Sequence, residues 1–145
     1  MGAGNCGTLI DMSSRYSTVV GTDIVRPDLD DWRVAGTSLL LADRATCLRD
    51  GVFDLVALNP PYLSGPVEDL ATDAGVDFEA VFRLLEDALR VVKDDGRVLV
   101  LLSGDVPLER AKVICKAKGF GLRKVKERRL FYEELLVVEA SSEPA

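Results

Sequence analysis

The stretch Leu55-Val56-Ala57-Leu58-Asn59-Pro60-Pro61-Tyr62 constrains this chain more than any other. The run from Phe53 to Leu58 reads as a strand covered on both faces, the pattern of a parallel sheet packed between helices. Two prolines then fix φ and remove two successive backbone donors, so the ladder must stop there. Asn59, ahead of a proline, is pushed towards extended backbone. A strand ending this abruptly leaves the Asn59 side-chain oxygen and the Pro60 carbonyl as acceptors at the end of a sheet. A plain tight turn has the same Pro-Pro signature, and that reading stands beside the functional one.

The rest of the chain repeats short apolar runs and amphipathic stretches. Thr18 to Ile24, Leu39 to Ala42 and Val98 to Leu102 read as further strands, and Leu122 to Arg128 with Glu134 to Ala140 as a closing pair. Phe78, Val81, Phe82, Leu85, Ala88, Leu89 and Val92 recur at helical spacing, which predicts a helix over 78–92 with Asp77 as its N-cap and Asp94-Asp95-Gly96 as the turn that stops it. A second helix is expected over 107–118, with Pro107 opening it, Gly119 closing it, and Leu108, Ala111, Ile114 and Cys115 facing inward. Strands alternating with helices and ending in a strand pair imply an α/β fold with a mainly parallel sheet. One domain is expected over residues 1–140, followed by a short flexible tail, 141–145.

Ligands of such sheets bind at the carboxyl ends of the strands. Asp23, Asp43 and Asn59 each follow an apolar run and are expected to converge on one edge. Gly2-Ala3-Gly4-Asn5-Cys6-Gly7 precedes a helix-like segment, Thr8 to Tyr16, so the glycines suit a backbone that turns tightly and approaches a ligand. Asp23 lies about 20 residues on, where a carboxylate accepts from ribose hydroxyls. Asp43 suits either an adenine amino group or an ion pair with Arg44, whereas Asp54, at the opposite end of its strand, is given a structural role. The chemistry implied at Asn59 follows from geometry. An NH2 group on a planar carbon offers two donors, so two fixed acceptors orient it, with Tyr62 as a flat wall. Displacement at a sulfonium methyl draws much of its acceleration from such alignment.

Composition removes other classes. There is no histidine, so Ser-His-Asp and Cys-His mechanisms are excluded within the chain. Three scattered cysteines, Cys6, Cys47 and Cys115, show no metal spacing, so no metal is expected, and they suit a reducing, cytoplasmic setting. No apolar run approaches the ~20 residues of a membrane span. The formal charge of −6 disfavours binding nucleic acid by bulk electrostatics. Arg123, Lys124, Lys126, Arg128 and Arg129 form a local basic segment, either a solvated strand face or a guide for an acidic or phosphate-rich partner. Asp28, Asp30 and Asp31 form an acidic surface loop near Trp32.

Taken together, Gly2-Ala3-Gly4, Thr22-Asp23-Ile24, Ala42-Asp43, Phe53-Asp54-Leu55, Asn59-Pro60-Pro61-Tyr62 and the closing strand pair resemble the HemK-like glutamine-N5 methyltransferases, in particular the archaeal and eukaryotic branch acting on class I release factors. The resemblance implies a Rossmann-like class I fold that uses S-adenosylmethionine (SAM). It implies cofactor contacts at Gly2, Gly4, Asp23, Asp43 and Asn59. Asn59 and Pro60 would hold the glutamine amide of the release factor's Gly-Gly-Gln loop, with Tyr62 packed beside it. It also implies a small zinc-binding activator subunit as partner. The motif is shared with adenine-N6 enzymes, so a nucleic-acid methyltransferase (adenine-N6 or guanine-N2) is the alternative, and a catalytically degenerate binding subunit a second.

Three departures from that family stand out. An apolar strand normally precedes the first glycine, so the first strand reads as truncated. Cys6 sits where a third glycine is common. The stretch from Ile24 to Ser38, with Pro27 and three aspartates, is short where a full helix is usual.

Overall fold

The computed structural model describes residues 1–4, 6–26, 36–61, 63–66, 68–69 and 73–142. They form two compact units, Met1–Cys47 and Leu48–Ala145.

The first unit holds helix α1 (Gly7–Ser13) and strands β1 (Val19–Asp23) and β2 (Thr37–Leu41). The strands pair in parallel from Val19↔Thr37 to Asp23↔Leu41. Helix α1 packs on both of them. Its core is small: Cys6, Leu9 and Val19 are buried, with Ala3, Met12, Tyr16 and Leu39 half-buried around them. Gly21 interrupts a strand of β-branched residues for a steric reason. A Cβ there would lie 2.5 Å from Leu9 Cδ1, so the missing side chain is what lets α1 sit down on β1.

The second unit is built on a four-stranded sheet ordered β3-β6-β8-β7, comprising β3 (Phe53–Leu58), β6 (Val92–Ser103), β7 (Phe120–Arg129) and β8 (Glu134–Ser142). β3 and β6 are parallel, and β8 runs antiparallel to both β6 and β7. A small parallel pair, β4 (Leu63–Ser64) and β5 (Asp73–Gly75), precedes helix α2 (Glu79–Val91), and α3 (Leu108–Ala117) joins β6 to β7. Cross-strand partners Val98↔Ala140, Val100↔Val138 and Leu102↔Leu136 are all buried on one face. Val81, Phe82, Leu85, Ala88 and Leu89 of α2 and Ala111 and Cys115 of α3 are buried as well. Helix α2 packs on β3, β6 and α3, and α3 packs on β7. Each buried Val, Leu or Phe among them contributes roughly 1.5–3 kcal/mol, and the alanines less.

Several expectations from sequence need correction. Asp77 does not cap α2: it sits at φ 56 inside a one-turn 3-10 segment (Val76–Phe78), the N-cap is Phe78, and no side chain caps the helix. The helix stop is not a turn at 94–96. Helix α2 ends at Val91 and β6 begins at Val92. The ladder then jumps from Phe53↔Val92 to Leu55↔Arg97, so the two acidic residues and Gly96 are absorbed as an irregularity within the strand. Gly96 permits this, because a Cβ there would lie 3.0 Å from the carbonyl oxygens of both Phe53 and Asp54. Helix α3 starts at Leu108, one residue later than expected, while Gly119 does adopt the left-handed φ of +82 after its end. Strand β8 continues to Ser142, so Ser141 and Ser142 pair with Gly121 and Phe120 instead of beginning a tail. Pro27, Asp28, Asp30, Asp31 and Trp32 lie outside the described residues, as do residues 143–145.

Candidate active site

In the first unit a loop, a strand end and a carboxylate are tied into one piece. Gly2 and Gly4 take φ of 68 and 50, and Cys6 takes φ 60 at the start of α1. Glycine would take this left-handed backbone without strain. Cysteine tolerates it here by burying its side chain completely against Leu9 and Val19. Burial, reinforced by the Asp23 charge, raises the Cys6 thiol above the ordinary cysteine range, so it sits as a neutral apolar group. Ala3 donates its N–H to the Thr22 carbonyl (3.1 Å), which lays the loop along the end of β1.

Asp23 completes the arrangement. Its Oδ2 accepts from Gly4 N–H at 2.8 Å and its Oδ1 from Val25 N–H at 3.0 Å. Its backbone carbonyl accepts from Ala42 N–H at 2.9 Å, so the ends of β1 and β2 are locked side by side. Asp43 therefore follows on the same strand-end edge as Asp23. A carboxylate has about four lone-pair sites, so Asp23 can shape the loop and still accept from a vicinal diol. The space beside Gly4 is open, with nothing within 4 Å of where a Cβ would stand. This donor and acceptor set fits a nucleoside-bearing cofactor. Asp43 is exposed and its Oδ2 lies 3.4 Å from Arg44 Nη2. The ion pair read from sequence is thus present, and at this exposure it is weak enough to exchange for another donor.

In the second unit β3 ends at Leu58, paired with Val100, and the chain emerges as an exposed Asn59 followed by a buried Pro60 and a half-buried Pro61. Burying Pro60 costs no backbone donor because proline has none. Among the described residues no hydrogen bond engages the Asn59 side chain. Tyr62, expected to wall this site, lies outside the described residues. Asp54 does what its position implied: its Oδ1 accepts from Lys93 Nζ at 2.6 Å, and that contact lowers its carboxyl below the ordinary range.

The basic segment of β7 is largely neutralised. Arg123 donates twice to the buried Glu139, Lys124 pairs with Glu127, and Arg129 pairs with both Glu127 and Glu134. Sequence reasoning passed over two features at this end of the sheet. The Ser103 hydroxyl is buried at the end of β6 with no hydrogen-bond partner among the described residues. Phe131 and Tyr132, between β7 and β8, are each 99% exposed. Two adjacent aromatics in a tight turn are legible as an anomaly, since turns ordinarily take Gly, Asn, Asp or Pro.

No helix among the described residues is long and apolar enough to cross a membrane. No known family model matches the chain, and no curated protein matches it by sequence. Solved structures do. The chain is similar to a chain of the E. cuniculi Mtq2–Trm112 complex, which is responsible for methylation of the eRF1 translation termination factor (23% identity over 96% of this chain and 80% of that one, TM-score 0.77). It is similar to YcgJ of Bacillus subtilis (12% identity, 99% and 90% covered, TM-score 0.72). It is also similar to the SAM-bound magnesium protoporphyrin IX methyltransferase ChlM of Synechocystis PCC 6803 (14% identity, 98% and 67% covered, TM-score 0.70). At these identities the likeness establishes the fold alone: it is the Rossmann-like α/β fold of SAM-dependent methyltransferases.

Proposed function

We propose that this chain is a SAM-dependent methyltransferase acting on a planar amide nitrogen, and that its substrate is the Gly-Gly-Gln glutamine of a class I release factor. The observation that carries the reading is the end of β3, where an exposed Asn59 is followed by a buried Pro60. The likeness to a chain of the Mtq2–Trm112 complex supports the release-factor substrate and a small partner subunit; that this partner is a zinc-binding activator is part of the proposal. The fold neighbour with bound SAM supports the cofactor.

Gly2 and Gly4 allow the loop backbone to approach the cofactor, Asp23 accepts from its ribose hydroxyls, and Asp43 accepts from its adenine amino group. Bound SAM supplies an electrophilic methyl on a sulfonium. Asn59 Oδ1 and the Pro60 carbonyl each accept one N–H of the substrate amide, which fixes the plane of the nitrogen and shifts electron density onto it. Tyr62, which the resemblance implies beside the amide, lies outside the described residues. Alignment of this kind is worth roughly 7–11 kcal/mol at its upper range, so positioning is the main demand on the protein. A strong base is not required, because the proton is lost once the nitrogen has become cationic, and water can accept it.

The nucleic-acid alternative is less well supported, since carboxylates neutralise three of the five cations on β7. The test is incubation of the chain, with its activator, with release factor and methyl-labelled SAM. Mass spectrometry should place the label on the Gly-Gly-Gln glutamine, and an unlabelled glutamine under conditions where SAM binds would refute the assignment.

A further inference from the structure

The turn between β7 and β8 needs no aromatic side chain. Its backbone closes on itself through Leu130 N–H to the Glu133 carbonyl at 2.8 Å. Phe131 and Tyr132 touch each other, with ring centroids 6.1 Å apart, and are otherwise 99% exposed. Neither ring is needed to hold the fold, and exposing two adjacent aromatics carries a solubility penalty.

Register places this tip with respect to Asn59. β7 runs in the same direction as β3 and β6, because β8 is antiparallel to both β6 and β7. Leu58 is level with Val100 and Val138, while Arg129 is level with Glu134, four residues nearer the start of the antiparallel β8 and so further on in the direction of β3. The tip therefore projects from the same edge of the sheet as Asn59. It is three strand spacings away, roughly 14 Å, and stands roughly 15 Å beyond it. It forms a raised rim beside the acceptor edge.

Charge defines what the rim can take. Arg123, Lys124 and Arg129 are paired within the unit. Among the described residues no carboxylate pairs with Lys126 or Arg128. Both are opposite Val137 and Leu135, on one face of the sheet. Two free cations beside two exposed rings are too few to hold a polyphosphate backbone, where affinity scales with the number of phosphates neutralised. They match a protein surface that presents an apolar recess bordered by carboxylates, with the aromatics as anchors.

We infer that the β7–β8 hairpin tip is the docking element for the substrate protein: Phe131 and Tyr132 enter an apolar recess on it, while Lys126 and Arg128 meet its acidic border. This rests on the proposed function and adds a contact remote from the reacting amide. The test compares wild type with Phe131→Ser/Tyr132→Ser and with Lys126→Glu/Arg128→Glu, each assayed with activator. Two substrates are used, intact release factor and a short Gly-Gly-Gln peptide. Both variants should raise KM for the intact factor by about tenfold or more, with kcat, SAM affinity and turnover of the peptide unchanged. An unchanged KM for the intact factor overturns the docking role while leaving the amide chemistry standing. A wild-type chain that labels neither substrate brings down the proposed function and this inference with it. A concentration-dependent dimer that the Ser variant dissolves would assign the tip to a second copy and likewise overturn the inference.

Discussion

The two units secure their functional loops by different means. In the first, three loop residues with positive φ are held by backbone hydrogen bonds and one carboxylate, over a cluster that, among the described residues, is centred on Cys6, Leu9 and Val19. In the second, Asn59 and Pro60 emerge from a sheet whose inner face is buried under two helices. Strand β2 leaves Leu40 and Leu41 exposed, at 37% and 61%, whereas Val98 and Val100 in β6 are at 0% and 1%. The difference is instructive. A loop that must present its own N–H groups to a ligand is best shaped by hydrogen bonds, which specify direction. A loop that must hold one side chain and one carbonyl in register is best anchored to a rigid sheet. Local stability should follow the core, with the first unit opening more readily than the second.

The sharpest way to break this division of labour is to mutate each loop and read both functions. Asn59→Ala should lower kcat by about 100-fold or more, by analogy with loss of one preorganised hydrogen-bonding partner, with SAM affinity by calorimetry nearly intact. Full activity in this variant would remove the basis for the amide site. Asp23→Ala should do the reverse and weaken SAM binding by about 1.5–3 kcal/mol. Part of that loss would arise because Gly4 N–H loses its acceptor and the loop its shape. If Asp23→Ala binds SAM as wild type does, the first unit is not the cofactor side.

Packing offers a finer comparison. Gly96→Ala sets a Cβ 2.6 Å from Val92 Cγ2 and 3.0 Å from two backbone carbonyls that cannot move without breaking the β3–β6 ladder, and should cost about 2–3 kcal/mol in urea unfolding. Gly21→Ala meets chiefly the end of the Leu9 side chain, which can rotate, and should cost about 1–2 kcal/mol. The reverse order would mean that the smaller core is the less forgiving one.

The smallest effect concerns thiols. Cys47 is exposed, while Cys6 and Cys115 are buried, one in each unit. Burial holds Cys115 at about 11, so at pH 8 it reacts only after opening. Timed alkylation should label Cys47 at once, Cys6 next and Cys115 last. Cys115 ahead of Cys6 would invert the stability order proposed for the two units.

Much of this was legible in the chain itself. Apolar and β-branched runs located β1, β2, β3 and the closing pair to within a few residues, although β2 and most of β7 are not covered on both faces. The proline pair marked where β3 must end, since neither proline can donate to a ladder. Cys6 stood out as a cysteine where the resembling family commonly has glycine, but its left-handed backbone was shown by the structure alone. Other features were not legible, because they depend on partners distant in sequence. Asp77 resembled an N-cap, but its backbone is drawn into a left-handed turn instead. Asp94-Asp95-Gly96 resembled a turn, yet it became part of β6 because the carbonyls of Phe53 and Asp54 approach Gly96 there.

The sequence by itself determined the strand-ending chemistry at Asn59-Pro60-Pro61, the glycine loop and the carboxylate at Asp23, since φ restriction and donor loss are properties of the residues themselves. Only the tertiary structure decided that the Asp23 carboxylate turns back onto Gly4, that Arg123 and Arg129 of β7 meet carboxylates on β8, and that Phe131 and Tyr132 stand on the same edge as Asn59. Those outcomes are set by strand register, which pairs residues far apart in the chain, and no local pattern of side chains encodes it.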